Sequence, residues 1–308
     1  MKLLHYLDKY DRPLVLAMGF FDCVHKGHVE IISRAANLAR KLGAECAVFT
    51  FSNDPCAYLG KKPQLYSFNE RVTVFSDLGV DVTVFAEFKG AFVRLSPEEF
   101  LISLTSGLNI AGIVAGEDYT FGVKGRGNSA FLRSYFANTQ TKVEIMPFIM
   151  SKEGKISSTY IKNAIERGDI EFANECLTEP YFMLGTVVHA HKRGSTFGFP
   201  TANMMPAQDK LRLKDGVYIT SLTVDDKTYF GGTNVGTKPT FDDGAYSVET
   251  YILDFDGDLY GKRVKLAFRK RIRDIEKFDS AEGLAAQLTE DTAKIREYFA
   301  EENTEKKS

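Results

Sequence analysis

The sequence predicts two unlike halves: an α/β half on a parallel sheet with helices on both faces, then a small antiparallel β-barrel closed by a C-terminal helix. Three observations lead there. Up to about residue 180, strand and helix signals alternate, the pattern of a parallel sheet. Beyond it, short strand signals follow one another across turn residues such as Asp225-Asp226, Asp242-Asp243-Gly244 and Asp256-Gly257. The length, 308 residues, suffices for two medium cores.

In chain order, residues 14–18 form an uninterrupted apolar run and read as a buried strand. Val29, Ile32, Ala35, Ala36 and Ala39 recur at helical spacing within a helix over 29–42. Residues 46–51 and 80–85 read as further strands. Ser96 and Pro97 are an N-cap and first-turn pair that opens a helix. A strand over 110–115 runs into a glycine-rich loop, 116–127. A helical stretch includes 165–177, and the boundary is set near 179–184, giving domains 1–182 and 183–308. Barrel strands are expected over 183–189, 217–223, 228–235, 247–255 and 263–268. In the closing helix, from about 280 to 299, Leu284, Leu288, Ile295 and Phe299 share one side. The basic run Arg269-Lys270-Arg271, with Arg273, reads as a solvated face.

Bulk properties exclude several classes. A net charge of −2 gives no global drive toward nucleic acid or anionic membrane. No apolar run is long enough to span a bilayer, and the first residues lack the apolar core of a signal peptide. Cys23, Cys46, Cys56 and Cys176 have neither disulfide-framework nor zinc spacing. The expectation is a cytoplasmic protein, monomer or weak oligomer, with neither nucleic acid nor membrane as partner.

The densest chemical signal is Gly19-Phe20-Phe21-Asp22-Cys23-Val24-His25-Lys26-Gly27-His28, set between a strand and a helix. Such a turn brings two imidazoles to a helix mouth, where free N–H groups and the dipole favour a phosphate. Metal binding and simple helix-start hydrogen bonding compete with that reading. No zinc pattern is completed by Cys23 or Asp22, and flanking Gly19 and Gly27 favour the phosphate. The loop from Gly116 would reach the same edge, at the carboxyl ends of the strands, where ligands of such sheets collect.

Together these motifs resemble the bacterial bifunctional riboflavin kinase/FAD synthetase family over nearly the whole chain. The first half carries GFFDCVHKGH, GEDYTFGVKGRG from Gly116 and ISSTYIKNAIERGD from Ile156. The second carries RGSTFGFPTAN from Arg193, DGVY from Asp215, NVGTKPTF from Asn234, VETYILDF from Val248 and DLYG from Asp258. The resemblance implies a Rossmann-like nucleotidyltransferase domain that adenylylates FMN to FAD with release of pyrophosphate. It also implies a barrel that phosphorylates riboflavin to FMN, each half using ATP with Mg²⁺. In the first half it gives His25 and His28 catalytic roles toward the ATP phosphates. Gly19, Phe20, Gly27, Ser157, Ser158, Thr159 and Lys162 would bind ATP, and Asp118, Phe121 and Gly122 would meet flavin or nucleotide. In the second half it makes Glu249 the base. Lys192, Gly194, Gly198, Thr201 and Asn203 would hold ATP, with Thr201 and Asn203 on its Mg²⁺.

Plainer readings stand beside these. Ser157–Thr159 suit helix capping before a helix over 160–166, and Asp118 suits a loop residue bonding its own backbone. Thr201 and Asn203 suit a turn, and Glu249 suits the wet face of a strand. Alternation puts Ser247, Glu249 and Tyr251 on one face and Val248, Thr250 and Ile252 on the other, without saying which is dry. Several positions depart from the family pattern: Cys23 for glycine, Asn53-Asp54-Pro55 for proline-histidine-proline, Lys162 for arginine, Ala190 for glycine and Ser195 for arginine. The nearest rival is therefore an FAD synthetase with an impaired kinase half. A nucleotidyltransferase for another phosphorylated acceptor and a flavin-sensing or RNA-binding regulator are more distant.

Overall fold

The computed structural model describes residues 1–147, 150–151, 154–188, 201–207, 209–237, 246–278 and 280–305. The chain divides into two compact units, Met1–Tyr160 and Ile161–Ser308.

The first unit runs β1 (Lys2–His5), β2 (Tyr10–Met18), α1 (Lys26–Leu42), β3 (Glu45–Phe51), α2 (Pro55–Tyr58), α3 (Phe68–Asp77), β4 (Val82–Ala86), α4 (Pro97–Gly107), β5 (Leu108–Gly116), β6 (Thr120–Phe121), β7 (Gly127–Asn128), α5 (Ser129–Phe136), β8 (Lys142–Met146), β9 (Met150–Ser151) and β10 (Gly154–Lys155). Six strands form an all-parallel sheet in the order β1-β4-β3-β2-β5-β8. The apolar run of β2 is at most 1% exposed from Leu14 to Met18, as a strand covered on both faces requires. On one face Leu14, Leu16 and Met18 join Phe49, Val84, Phe100 and Ile113 in the core. On the other, a Cβ added at Gly112 would touch both Leu38 of α1 and Val15, so helix and sheet pack closely there. The chain leaves β2 toward β3 and β4, then returns to β2's other side as β5. The strand order therefore reverses at β2, and the crevice for a ligand lies beyond its carboxyl end.

Helix α1 begins three residues before the apolar periodicity. His25 is its N-cap, its Nδ1 accepting the His28 N–H at 3.3 Å. His28 thus sits in the first turn. Ser96 and Glu99 form a reciprocal capping box on α4, whose first residue is Pro97. The glycine-rich loop folds back as a ribbon in which β6 pairs antiparallel with β7.

Helix α6 (Ser158–Arg167) contains the division between the units. It starts two residues earlier than expected, so Ser158 and Thr159 lie in its first turn. Ser157 Oγ accepts the Tyr160 N–H at 3.5 Å. After α7 (Ile170–Cys176), β11 (Phe182–Val188), β12 (Thr201–Met204), β13 (Gly216–Val224), β14 (Lys227–Thr237), β15 (Tyr246–Ile252) and β16 (Arg263–Arg273) close an antiparallel barrel. Its strand order is β11-β12-β15-β14-β13-β16. Thr201 and Asn203 lie on a strand, not in a turn. Helix α8 (Ala281–Glu305) packs Ile295 and Phe299 against Ile219, Tyr251 and Leu253. The opposite face of these strands is the drier one: Val248, Thr250 and Ile252 are at most 3% exposed. There Thr220, Thr233 and Thr250 link their hydroxyls at 2.8 Å each, which satisfies polar groups that burial would otherwise strand.

Lys270 of the basic run is exposed, but its arginines do not form a solvated face. Arg273 grips the fully buried Asp291 at 2.8 Å, Arg271 donates to the Asp215 carbonyl at 2.8 Å, and Arg269 reaches Ser221 and Glu302. Arg269, Arg271 and Arg273 thus tie β16 to its neighbouring segments.

Candidate functional site

Each unit carries one cluster of sequence-predicted residues. In the first, a cavity of about 590 Å³ opens beyond β2, β3 and β5. Its wall includes Gly19, Phe20, His28, Asp118, Phe121 and Gly122, bringing the strand-turn-helix motif and the glycine-rich ribbon to one place. His25 and Gly27 stand just behind, at the start of α1. The His25 and His28 rings stack with centroids 3.6 Å apart and planes 16° off parallel. Phe21 meets His28 edge-on at 5.2 Å. Burial, and then the neighbouring His25 charge, hold the His28 imidazole well below its ordinary proton affinity. His28 is therefore neutral near pH 7 and donates through one ring nitrogen. Its Nδ1 is buried with no hydrogen-bond partner among the described residues.

The cavity wall is aromatic, with Phe51, Phe88, Phe92 and Tyr119 among its residues, and its charge is lopsided. Lys61, Arg94 and Lys124 line it against the single carboxylate of Asp118. A planar ring system carrying phosphate fits this chemistry. Phe121 and Gly122 also have structural reasons to be there. Phe121 is 7% exposed and packs on Phe100 and Phe131. Gly122 has φ +70°, and a Cβ on it would lie 2.8 Å from the Pro97 nitrogen. The turn 19–28 is strained, since Phe21 (φ 55°) and Val24 (φ 41°) both adopt left-handed backbone. Cys23 does not, so a side chain is tolerated where glycine is usual.

Asn53 and Asp54 build the wall. Asn53 Oδ1 accepts the Phe88 N–H at 2.6 Å and its Nδ2 donates back to the Phe88 carbonyl at 3.3 Å. Asp54 caps α2 by accepting from Cys56 at 2.8 Å, and accepts from the Gln64 N–H at 3.0 Å. One carboxylate thereby closes both ends of the 54–64 loop. Lys162 is 5% exposed on α6.

In the second unit the strand register settles which residues face each other. Glu249 pairs with Asn203 of β12 on one side and Asn234 of β14 on the other. Directly opposed residues share a face, so two amides flank one carboxylate. Thr201 pairs with Tyr251, one step along the same face, which is the face α8 covers through Tyr251. Asn203 is 8% exposed and Glu249 half-buried. Hydroxyl and amide oxygens beside a carboxylate are hard donors suited to Mg²⁺. Asn234 was not singled out from sequence as a site residue; only the register reveals its position. Lys192, Gly194, Gly198 and the departures Ala190 and Ser195 lie outside the described residues.

Comparison with known proteins now gives the decisive observation. A family model for FAD synthetase matches residues 7–160 and one for riboflavin kinase matches residues 177–299. The bifunctional riboflavin kinase/FMN adenylyltransferase of Listeria monocytogenes is 38% identical over 93% of this chain and 92% of its own. That of Bacillus subtilis is 33% identical over 96% of each. The chain belongs to the bifunctional riboflavin kinase/FMN adenylyltransferase family. A crystal structure from Streptococcus pneumoniae, bearing the name macrolide-efflux protein, superposes with a TM-score of 0.85 at 32% identity, covering 96% of this chain and 99% of that one. The fold likeness therefore runs through both units. No helix among the described residues is long and apolar enough to cross a membrane. Family membership places the chain among transferases of flavin-nucleotide synthesis.

Proposed function

We propose that this chain makes FMN from riboflavin in its second unit and FAD from FMN in its first. The observation that carries the reading is the pair of separate clusters, one built for bringing polyanions together and one for deprotonating a hydroxyl. In the first, a phosphate oxygen of FMN, already ionised, attacks the α-phosphorus of ATP and pyrophosphate leaves. No base is needed; positioning and charge stabilisation are the catalytic tasks. Neutral His28 donates to a phosphate oxygen, His25 backs it, and the N-terminal end of α1 adds the helix dipole. Lys61, Arg94 and Lys124 offset the negative charge. Ser157, Ser158 and Thr159 act on the ATP phosphates.

In the second, Glu249 takes the proton of the terminal ribityl hydroxyl as its oxygen attacks the γ-phosphorus of ATP and ADP leaves. Thr201 and Asn203 would hold Mg²⁺ carried by ATP, which shields the phosphate charge. We place the protein in the cytoplasm as a monomer or weak oligomer, in keeping with four buried cysteine thiols not joined in disulfides. The test is to incubate it with riboflavin and Mg-ATP and to separate riboflavin, FMN and FAD. FMN should rise before FAD. If supplied FMN is adenylylated but none forms from riboflavin, the chain is an FAD synthetase alone, and Ala190→Gly is the first substitution to try for rescue.

A further inference from the structure

Outside the residues already assigned, the most unusual group in the first unit is Arg71 of α3. It is 0% exposed and the largest fully buried side chain of the described residues. Arginine is rarely sealed off in this way without a demanding set of partners. Here Nη1 donates to the Phe20 carbonyl at 2.9 Å and to Thr50 Oγ1 at 2.5 Å, and Nη2 donates to the Phe51 carbonyl at 2.8 Å. Thr50 Oγ1 donates in turn to the same Phe20 carbonyl at 2.7 Å. The guanidinium carbon lies 4.5 Å from the centre of the Phe20 ring. One planar fork thus binds the chain just past the end of β2 and the last residue of β3, directly behind the cavity wall.

The strained turn is held on both sides of Phe21. Arg71 and Thr50 fix the Phe20 carbonyl before it. After it, Asp22 Oδ1 accepts the N–H groups of Leu65 at 2.7 Å and Tyr66 at 3.4 Å. Left-handed backbone at Phe21 and at a β-branched valine persists only where its surroundings over-determine it. Release of the Phe20 anchor would let the turn relax toward ordinary dihedrals. The turn ends at the His25 cap and the His28 ring, so relaxation displaces the donors aimed at phosphate.

We propose that Arg71 is the positioning residue of the adenylyl-transfer site, holding the Phe20–Val24 turn in the strained form that presents His25 and His28. It touches no substrate; it acts through the Phe20 carbonyl. A hydrophobic residue of similar volume would fill the space at lower desolvation cost, but it would leave the Phe20 and Phe51 carbonyls unbound. Lysine keeps the charge and loses the fork.

The inference rests on the adenylyltransferase reading, and two kinds of measurement separate the two. The variants are Arg71→Met, Arg71→Lys and Thr50→Val, the last removing only the relay hydroxyl at nearly constant shape. In folded protein, kcat for FMN adenylylation should fall by about 10²-fold in Arg71→Met, the scale of loss from small misplacements of catalytic geometry. Arg71→Lys should fall less and Thr50→Val by several-fold, with KM for ATP nearly constant throughout. Amide hydrogen exchange across residues 19–28 should quicken in the same order, with exchange in the barrel unchanged. A folded Arg71 variant with near wild-type kcat, or a loss lying wholly in KM, overturns the proposal. If Arg71→Met does not fold, Thr50→Val decides, and unchanged exchange in the turn overturns the proposal. Should wild-type protein make no FAD, the adenylyltransferase reading fails, while the exchange data still decide whether Arg71 holds the turn.

Discussion

The neutral state of His28 makes the first unit acid-sensitive in a way that can be isolated. Its folded-state proton affinity is depressed by burial and by His25, whereas in the unfolded chain it has the ordinary value near 6.5. Below that value the unfolded state binds a proton that the folded state refuses, so stability falls with falling pH. Between the unfolded value and the lower folded one, each pH unit withdraws at most about 1.4 kcal/mol. Between pH 7.5 and 5.5 the withdrawal is therefore no more than about 1.4 kcal/mol. For a unit of this size the upper limit is a drop of roughly 3–6 °C in Tm. His28→Gln cannot charge and should lack this component. Thermal unfolding of wild type and variant at both pH values gives the double difference, in which the carboxylates cancel. Wild type should lose the extra few degrees. Parallel curves would refute the neutral-imidazole assignment, and with it the argument that His28 donates through one nitrogen. Pyrophosphate should narrow the gap, since an anion against the ring raises its proton affinity.

Three further outcomes are expected. Glu249→Gln should reduce FMN formation from riboflavin by about 10²–10⁴-fold while sparing FAD formation from supplied FMN; product separation with each flavin decides, and phosphorylation within a few-fold of wild type removes the base. Asn234→Asp puts a second carboxylate directly opposite Glu249, which disfavours ionisation of the first. The acid limb of the phosphorylation pH profile should therefore move to higher pH, and an unmoved limb would mean that the register does not bring the two side chains together. Gly122→Ala drives a Cβ to 2.8 Å from the Pro97 nitrogen at a φ of +70°, a strain of order 1–3 kcal/mol; Tm should fall even without ligand, and an unchanged Tm would assign this glycine to ligand approach instead.

The fold class was legible because a parallel strand buried on both faces writes itself as a continuous apolar run, as Leu14 to Met18 do. The start of α1 was not, because Lys26, Gly27 and His28 carry no apolar signal and the cap is an imidazole. Strand β12 was hidden for a related reason: Thr201–Met204 is short and polar at alternate positions, and it reads as a turn beside Pro200. The basic run of β16 misled in the opposite direction. Charge suggested solvent, but an arginine stem buries readily when carbonyls or carboxylates such as Asp291 await its head.

What composition and spacing could not convey is pairing between distant segments, and both candidate sites depend on it. Motif spacing brings His25 and His28 into one turn of helix, yet their orientation is fixed by Arg71, whose own neighbours in sequence look like an ordinary helix surface. Glu249 is equally uninformative alone. Its character comes from Asn203 and Asn234, which reach it from two other strands, and a slip of one residue in either pairing would turn that partner to the buried threonine face. The hydroxyl ladder of Thr220, Thr233 and Thr250 opposes such a slip. A shift by one between β14 and β15 would set Thr233 opposite Glu249 or Tyr251 instead of Thr250 and leave buried hydroxyls without their partners, a cost of about 1–3 kcal/mol apiece. The threonine face of the barrel thus helps hold the β14–β15 register that sets Asn234 beside Glu249.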